Sequence, residues 1–307
     1  MRHIIRIIIL TTLLLQSTLV CAQQDLLFTQ QHFSRGNINP AGVGNTGDID
    51  IFLLGRMQWL GVDNAPKTIL LNATNYFPKI QSGIGLTISH DAIGLGHRTT
   101  EVKAEYSYQF DLTPNWILSL GVSAGIFVGT FDPSANTLEN ETEFPELDIP
   151  QTKERMISPD FNVGLEVNSP NWTFGLSCTH IQNNQSTTFR SDRHIYAYAM
   201  RAIALRPDWD MMATAAYMNR NKVHLADIGL LTFYRRLFWG GLSWRPDIVN
   251  GCDPSYLTIM LGFEWQILRF GYLYEWGVGK NSTLPNNTHE FLLSFRIPKK
   301  NQRQTMN

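Results

Sequence analysis

The chain has 307 residues, with 25 Lys and Arg against 26 Asp and Glu, and a formal net charge of −1. This balance lacks the excess of basic residues that is typical of nucleic-acid binding, so no nucleic-acid partner is expected. Hydrophobic residues make up 43% of the chain, which is enough apolar material for a sizeable core.

Residues 1–22 have the pattern of a secretory signal peptide. Two arginines and an apolar run, IIILTTLLLQSTLV, precede the small residues Cys21 and Ala22. We therefore expect cleavage after Ala22. The alternative is a lipoprotein acylated at Cys21, which is less favoured because Val20 is bulkier than the residue that normally precedes an acylated cysteine.

The exported chain would keep two cysteines, Cys178 and Cys252. An oxidising compartment permits a disulfide between them without requiring one. Beyond residue 22 no apolar run reaches the roughly 18 residues of a membrane-spanning helix, so none is predicted. A closed β-barrel is the other structure that satisfies every backbone group in lipid.

From about residue 48 onward, apolar and polar residues alternate with the period of β-strands. About fourteen such segments are predicted, most of them about nine or more residues long, which is the length that a tilted strand needs to cross a bilayer. The predicted segments are 48–59, 68–77, 83–90, 99–110, 116–131, 159–168, 172–181, 194–205, 209–219, 223–234, 237–244, 256–266, 268–276 and 289–297.

The predicted connections alternate between long and short, and the stretch NRNK at 219–222 is the one short member of the long set. Tight periplasmic turns and long outer loops are typical of outer-membrane barrels. A soluble sandwich, which would bury the apolar rows between two sheets, has no reason to keep this parity. An even number of strands also lets the last strand pair with the first, which places both termini on the periplasmic side.

The alternation also assigns two faces to the sheet. The outward set comprises Ile49, Ile51, Leu53, Met57, Trp59, Phe291, Leu293, Phe295 and Ile297, with Val102, Ala104, Tyr106 and Tyr108. The inward set comprises Asp48, Asp50, Arg56, Gln58, Glu101, Lys103, Glu105, Gln109, Glu290, Ser294 and Arg296. A basic side chain facing lipid near the midplane costs about 2 to 4 kcal/mol, so the charged set is expected in the lumen. Six tryptophans near predicted strand ends fit an aromatic girdle: Trp59, Trp116, Trp172, Trp209, Trp244 and Trp276.

No residue pattern indicates catalysis. Ser89, His90 and Asp91 are adjacent on a predicted strand, so they face opposite ways and cannot form a catalytic array. The histidines and cysteines show no spacing typical of metal ligands, and no glycine-rich nucleotide cradle is present. The acidic stretch around 139–148 is better interpreted as a solvated surface segment than as a calcium loop. We therefore predict no catalytic, cofactor-binding or metal-binding residue and no enzymatic activity.

The stretch from QQDLLFTQQHFSRGNINPAG to APKT resembles the start of the PorP/SprF family of type IX secretion membrane proteins. GIGLTISHDAIG and HEFLLSFRI resemble later blocks of that family. The motif residues, which are either structural or partner contacts, are Asn39, Pro40, Ala41, Gly42, Arg56, Gln58, Trp59, Gly61, Ala65, Pro66, His289, Glu290 and Arg296. Two departures are the sequence Gly42-Val43-Gly44 after the NPA turn and a polar tail beyond Ile297.

The resemblance implies a non-enzymatic outer-membrane barrel of the secretion and gliding machinery. Its partners would be outer-membrane lipid and either periplasmic ring and lipoprotein subunits or a secreted giant adhesin. The chain then divides into a signal peptide (1–22), an N-terminal segment that is periplasmic or luminal (23–47), the barrel (48–298) and a polar tail (299–307). The alternative is an outer-membrane transport barrel for hydrophobic or small polar solutes, with the N-terminal segment as a hatch.

Overall fold

The computed structural model describes residues 29–94, 96–133, 152–183, 189, 191–220, 223–246, 248, 255–278 and 287–299. Fourteen strands account for most of them. The strands are β1 (Ile49–Gln58), β2 (Lys67–Phe77), β3 (Ser82–Ile93), β4 (His97–Thr113), β5 (Trp116–Phe131), β6 (Glu154–Asn168), β7 (Trp172–Thr179), β8 (His194–Arg206), β9 (Trp209–Arg220), β10 (Val223–Tyr234), β11 (Phe238–Pro246), β12 (Ser255–Trp265), β13 (Leu268–Val278) and β14 (Asn287–Ile297). Short 3-10 turns occur at Thr29–His32, Pro40–Gly42 and Pro78–Ile80.

The fourteen strands form one closed antiparallel sheet. Each strand pairs with its neighbours in sequence, and β1 pairs with both β2 and β14. Closure leaves no edge strand with unpaired backbone groups. The prediction of an all-β, up-and-down antiparallel barrel of about fourteen strands is therefore confirmed.

The barrel has two rims. The turn rim carries the short connections 78–81, 114–115, 169–171, 207–208, 235–237 and 266–267, together with the start of β1 and the end of β14. The loop rim carries 59–66, 94–96, 132–153, 180–193, 221–222, 247–254 and 279–286. The predicted long connection between β3 and β4 is wrong, because pairing of these strands continues to Ile93 and His97 and leaves only 94–96 between them.

Most other strand bounds differ from prediction by one to three residues, and two differences have a clear structural reason. β6 begins at Glu154 instead of 159, because Glu154 pairs with Phe131 and β5 therefore has a partner along its full length. β7 ends at Thr179 instead of 181, because His180 takes a positive φ of 53° that interrupts the extended backbone, although the Ile181 N–H still donates to the Phe161 carbonyl of β6. Polar side chains that bond to neighbouring backbone favour such left-handed positions.

The outer face of the barrel is apolar, as predicted. Exposed side chains on it include Ile51, Leu53, Val102, Tyr106 and Phe291. Most of the predicted tryptophans lie at strand ends: Trp116, Trp172 and Trp209 begin strands at the turn rim, and Trp244 and Trp276 are near the ends of β11 and β13 at the loop rim.

Charged residues on the outer face lie near strand ends with one exception. Among the described strands, Lys67, Arg98 and Arg155 occupy the first or second position at the loop rim. Arg201 is the exception: it is exposed on the outer face in the interior of β8, among apolar neighbours.

No helix within the described residues is long and apolar enough to cross a membrane. Several predictions lie outside the described residues: the signal peptide, the acidic stretch 139–148 and Cys252. The possible disulfide thus stays untested; Cys178 is partly exposed near the end of β7.

The lumen face carries the predicted charged set, and Glu101, Lys103, Glu105 and Glu290 are buried there. It also carries apolar residues that alternation did not assign. Phe52 and Leu54 point inward from β1 and form a buried cluster with Leu70 and Leu292. A buried apolar cluster on an inner wall requires a covering partner within the lumen.

Candidate functional site in the barrel lumen

Residues 29–47, here called the luminal plug, provide that cover. The plug contacts inward-facing side chains on opposite walls of the closed sheet, including Glu166 on β6 and Trp239 on β11. A segment that touches both walls from inside lies in the lumen. Its last residues reach the turn rim, where the hydroxyl of Thr46 donates to Asp50 near the start of β1.

The NPAG motif forms a capped turn at the centre of the plug. The side chain of Asn39 accepts a hydrogen bond from the backbone N–H of Ala41 at 2.9 Å, and Pro40 begins the 3-10 turn with its fixed φ. The Asn39 amide also donates to the Leu165 carbonyl at 3.0 Å and to the Tyr198 hydroxyl at 2.9 Å. One side chain therefore shapes the turn and ties it to β6 and β8.

Two wall glycines let this turn approach the sheet. A Cβ at Gly164 would lie 1.8 Å from the Asn39 Oδ1, and a Cβ at Gly121 would lie 2.1 Å from the Ala41 nitrogen. Neither separation is sterically possible, so the turn occupies the space that any larger residue would fill.

A buried ion pair anchors the plug beside the motif. Arg35 Nε and Nη2 donate to the Glu166 carboxylate at 2.8 and 3.0 Å, a bidentate geometry that is strong among protein hydrogen bonds. The Glu166 carboxylate also accepts from Tyr198 and Asn45. Burial works against the charge of Arg35, but the carboxylate of Glu166 outweighs it and raises the pKa of Arg35 above its usual range. Arg35 therefore carries its charge at this place.

A second charge network meets the start of the plug. Arg56 donates to Glu275 at 2.8 Å and to Glu290 at 3.2 Å. Arg245 donates to the other oxygen of Glu275 at 3.0 Å, and Glu290 accepts from the Gln30 backbone N–H at 3.2 Å. The network thus joins β1, β11, β13 and β14 to the plug through buried, mutually satisfied groups.

Apolar packing holds the same end of the plug. The ring of Phe33 lies 4.8 Å from that of Trp239 and packs against the cluster of Phe52 and Leu54. The Arg269 guanidinium lies over the Phe33 ring, 4.3 Å from its centroid.

The structure separates the predicted motif residues into distinct places. Asn39, Pro40 and Ala41 are buried in the plug, with Gly42 beside Arg35. Arg56 and Glu290 belong to the second network. Gln58, Trp59, Gly61, Ala65, Pro66 and His289 lie at or near the loop rim. Arg296 lies at the turn rim, where it pairs with Asp50 at 3.0 Å.

Sequence reasoning missed several residues of the site. Arg35, Phe33, Glu166 and Tyr198 carry no local signal, because each is one polar or aromatic residue in a segment that contains many. Their significance comes from contacts such as Arg35 to Glu166, which are 131 residues apart. The alternation of the predicted strand 159–168 could have placed Glu166 on the inward face, but nothing in the sequence indicates its partner.

One carboxylate and histidine cluster lies on the wall above the plug. The possible ligand atoms of Glu101, Asp160 and His180 lie within 4.8 Å of one another. Lys103 Nζ lies 2.9 Å from Glu101, and His180 Nδ1 lies 2.7 Å from Asp160. A lysine ammonium already supplies positive charge at this place, so the group is an ion-pair network.

The adjacent Ser89, His90 and Asp91 do not converge. Ser89 and Asp91 are buried on the lumen face, whereas His90 is exposed on the opposite face. This confirms the expectation that they cannot act together. Asp91 instead accepts a hydrogen bond from the hydroxyl of Thr68 on the neighbouring strand.

A closed fourteen-strand barrel with an apolar exterior, aromatic rims and a polar lumen defines the class of outer-membrane β-barrel proteins. The family described as type IX secretion system membrane protein PorP/SprF matches residues 20–295. The chain belongs to that family.

Comparison with solved structures finds other outer-membrane barrels. A TodX deltaS2S3 mutant, a monoaromatic hydrocarbon channel, is 10% identical with a TM-score of 0.51, and the match covers 85% of this chain and 93% of that one. The outer membrane protein Omp33 of Acinetobacter baumannii is 12% identical with a TM-score of 0.48, covering 81% and 99%. These likenesses concern the fold alone. No curated protein matches the sequence.

Proposed function

We propose that this chain is a non-enzymatic scaffold of the type IX secretion and gliding machinery in the outer membrane. It serves as an anchor or assembly point, either for periplasmic ring and lipoprotein subunits or for a secreted surface adhesin. The observation that carries the proposal is the luminal plug, which spans the barrel from Glu166 to Trp239. Membership of the PorP/SprF family supports the type IX secretion system as the machinery in which this scaffold works.

The plug favours a scaffold over the transport alternative. A transporter needs a path through the lumen, or a hatch held by contacts that can be broken reversibly. Here the plug is fixed to the wall by the bidentate ion pair of Arg35 with Glu166, by the hydrogen bond from Asn39 to the Leu165 carbonyl, and by the bonds that Asn45 accepts from Gln109 and Ser119. Breaking a buried ion pair costs several kcal/mol, so opening by thermal motion is disfavoured.

The orientation in the membrane is part of the proposal. Long loops outside and tight turns inside are the rule for these barrels, so the loop rim faces the exterior and the turn rim faces the periplasm. The backbone N–H of Lys299 bonds to Asp48 at the turn rim, which supports a periplasmic C-terminus in this orientation. A periplasmic N-terminus stays a prediction, and protease protection of a tag at each end of the mature chain would test both.

Within the motif, the connection between β1 and β2 is the part available to a partner. The plug residues of the motif are buried, whereas Leu60 and Val62, which flank Gly61, are 50% and 40% exposed at the loop rim. Exposed apolar residues at a rim are suited to protein contact. If the loop rim is external, this position favours a secreted surface adhesin over ring subunits as the contact.

The test is affinity purification of the tagged protein from its native outer membrane, followed by mass spectrometry. The double variant Leu60→Ser, Val62→Ser is expected to lose the partner. The matched control, Ile80→Ser with Leu112→Ser, removes two residues of similar exposure, 57% and 55%, at the turn rim and should retain it. Recovery of no secretion protein with the unaltered chain would contradict the proposal.

Conductance in planar bilayers separates the scaffold from the transport barrel. We expect no large, steady single-channel current from the unaltered chain, because the plug crosses the lumen. A large and steady current would contradict the scaffold and favour transport.

A further inference from the structure

The outer wall of the barrel carries a depression across β8 to β11. Its volume is about 560 Å³. The floor is formed by Ala199, Ala213 and Ala215, and taller walls are formed by Trp172, Leu242 and Trp244. Three alanines side by side on two paired strands leave a groove where neighbouring strands present large side chains to lipid.

A single charge borders this groove. Arg201 pairs with Trp172 on β7 and with Ala213 on β9, so it adjoins the alanine floor. It is the one charged side chain in the interior of an outer-facing strand surface among the described residues. Charge on the lipid face is unfavourable unless it meets an anion or water.

The position of the Arg201 guanidinium suits the binding of an anion. Its guanidinium lies over the ring of Trp172, 4.9 Å from the centroid, and no carboxylate within the described part of the chain forms an ion pair with it. Stacking on an aromatic face leaves the edge N–H groups of a guanidinium free, and these suit the two oxygens of a phosphate. Trp172 begins β7 at the turn rim, which puts Arg201 toward the headgroup region of that rim.

We propose that this groove is a binding site for one anionic glycerophospholipid, with its phosphate on Arg201 and an acyl chain on the alanine floor. The groove matches such a lipid in charge and in shape, because it has a basic group at the headgroup end and an apolar trough that continues toward the midplane. The assignment of this lipid to the periplasmic leaflet rests on the orientation in the proposed function. In that orientation the turn rim is periplasmic, and the leaflet at that rim contains glycerophospholipids instead of lipid A.

Native mass spectrometry of the full mature chain in detergent tests the site, with phosphatidylglycerol, phosphatidylethanolamine or lipid A added separately. The unaltered chain should retain phosphatidylglycerol in preference to the other two. Arg201→Gln should lower phosphatidylglycerol retention by about tenfold, as expected for the loss of a charge-assisted contact. Arg155→Gln, which removes an outward arginine at the opposite rim, is the matched control and should leave retention unchanged.

A second variant tests the groove without touching the charge. Ala213→Leu fills the floor and should also reduce retention, while the heat-modifiable migration of the folded barrel shows that folding is intact. Three results would overturn the site. Arg201→Gln could retain as much phosphatidylglycerol as the unaltered chain, Arg155→Gln could lose as much as Arg201→Gln, or the unaltered chain could prefer lipid A. The assay contains no secretion partner, so its failure is distinct from failure of the proposed function.

Discussion

The two ends of the luminal plug are held by different chemistry. Around Phe33 the plug rests mainly on aromatic and aliphatic surface, chiefly Trp239 and the cluster of Phe52 and Leu54, with a backbone hydrogen bond from Gln30 to Glu290 at its start. From Asn39 to Asn45 it is held by directional bonds to buried polar groups of β4 to β8. Apolar contact tolerates small displacements, whereas a buried polar group that loses its partner carries a full desolvation cost.

This difference indicates which end of the plug fixes its position. The polar end specifies one register against the wall, because Asn39 and Glu166 each bind several groups that fit only one placement. The apolar end adds stability with less specificity. Four substitutions, taken from the largest expected effect to the smallest, test the distinction.

Glu166→Gln should have the largest effect. It leaves Arg35 charged and largely buried without its carboxylate, which costs about 3 to 5 kcal/mol of unfolding free energy. Urea unfolding in lipid vesicles, followed by tryptophan fluorescence, measures the loss. Asp208→Asn is the control, because its ion pair with Arg235 is exposed and contributes about 0 to 1 kcal/mol. Similar losses in both variants would show that the polar end is not the anchor.

Phe33→Ala should cost about 2 to 3 kcal/mol, somewhat less than a fully buried phenylalanine, because Phe33 is half-buried. Hydrogen exchange should rise for residues 29–35, while the amides of 39–45 stay protected by their own bonds. Phe33→Leu keeps most of the apolar contact and should show a smaller change. Equal loss of protection at both ends would mean that the plug opens as one unit, and the comparison would fail.

Gly164→Ala should destabilise the barrel by about 1 to 3 kcal/mol through overpacking, since its new Cβ meets the Asn39 side chain. The matched control is Gly55→Ala, because a Cβ at Gly55 meets nothing within 4 Å. Thermal unfolding measures both, and the conductance assay reports whether the displaced turn opens the lumen. No difference between the two variants would contradict the close approach of the NPAG turn.

Ser107→Ala should have the smallest effect, about 1 kcal/mol. It removes one hydroxyl that donates to the Val43 carbonyl at 2.6 Å. Ser243→Ala is its control, since the buried Ser243 hydroxyl has no hydrogen-bond partner within the described chain, and its removal should be neutral in urea titrations. A larger loss in Ser243→Ala than in Ser107→Ala would show that this bond does not hold the plug.

Much of the wall was predictable from the sequence. The bounds of β5 and β10 agree with the predicted segments at both ends, and the outward and inward sets of β4 agree residue by residue. The predicted strand bounds were wrong where backbone pairing extends a strand beyond the residues with clear apolar and polar alternation, as at Glu154 of β6. Only part of the site was predictable from the sequence. The composition of the NPAG motif indicates a turn, but no sequence signal indicates its partners Gly164 and Tyr198.

By itself the sequence determined the strands, their order and the two faces of the sheet, because alternation is a local property that neighbouring residues carry together. Only the tertiary structure decided what fills the barrel. Arg35 meets Glu166 and Arg56 meets Glu290, across 131 and 234 residues of chain, after the sheet has closed around them. Closure brings distant inward-facing side chains together, and no local pattern encodes which of them will meet.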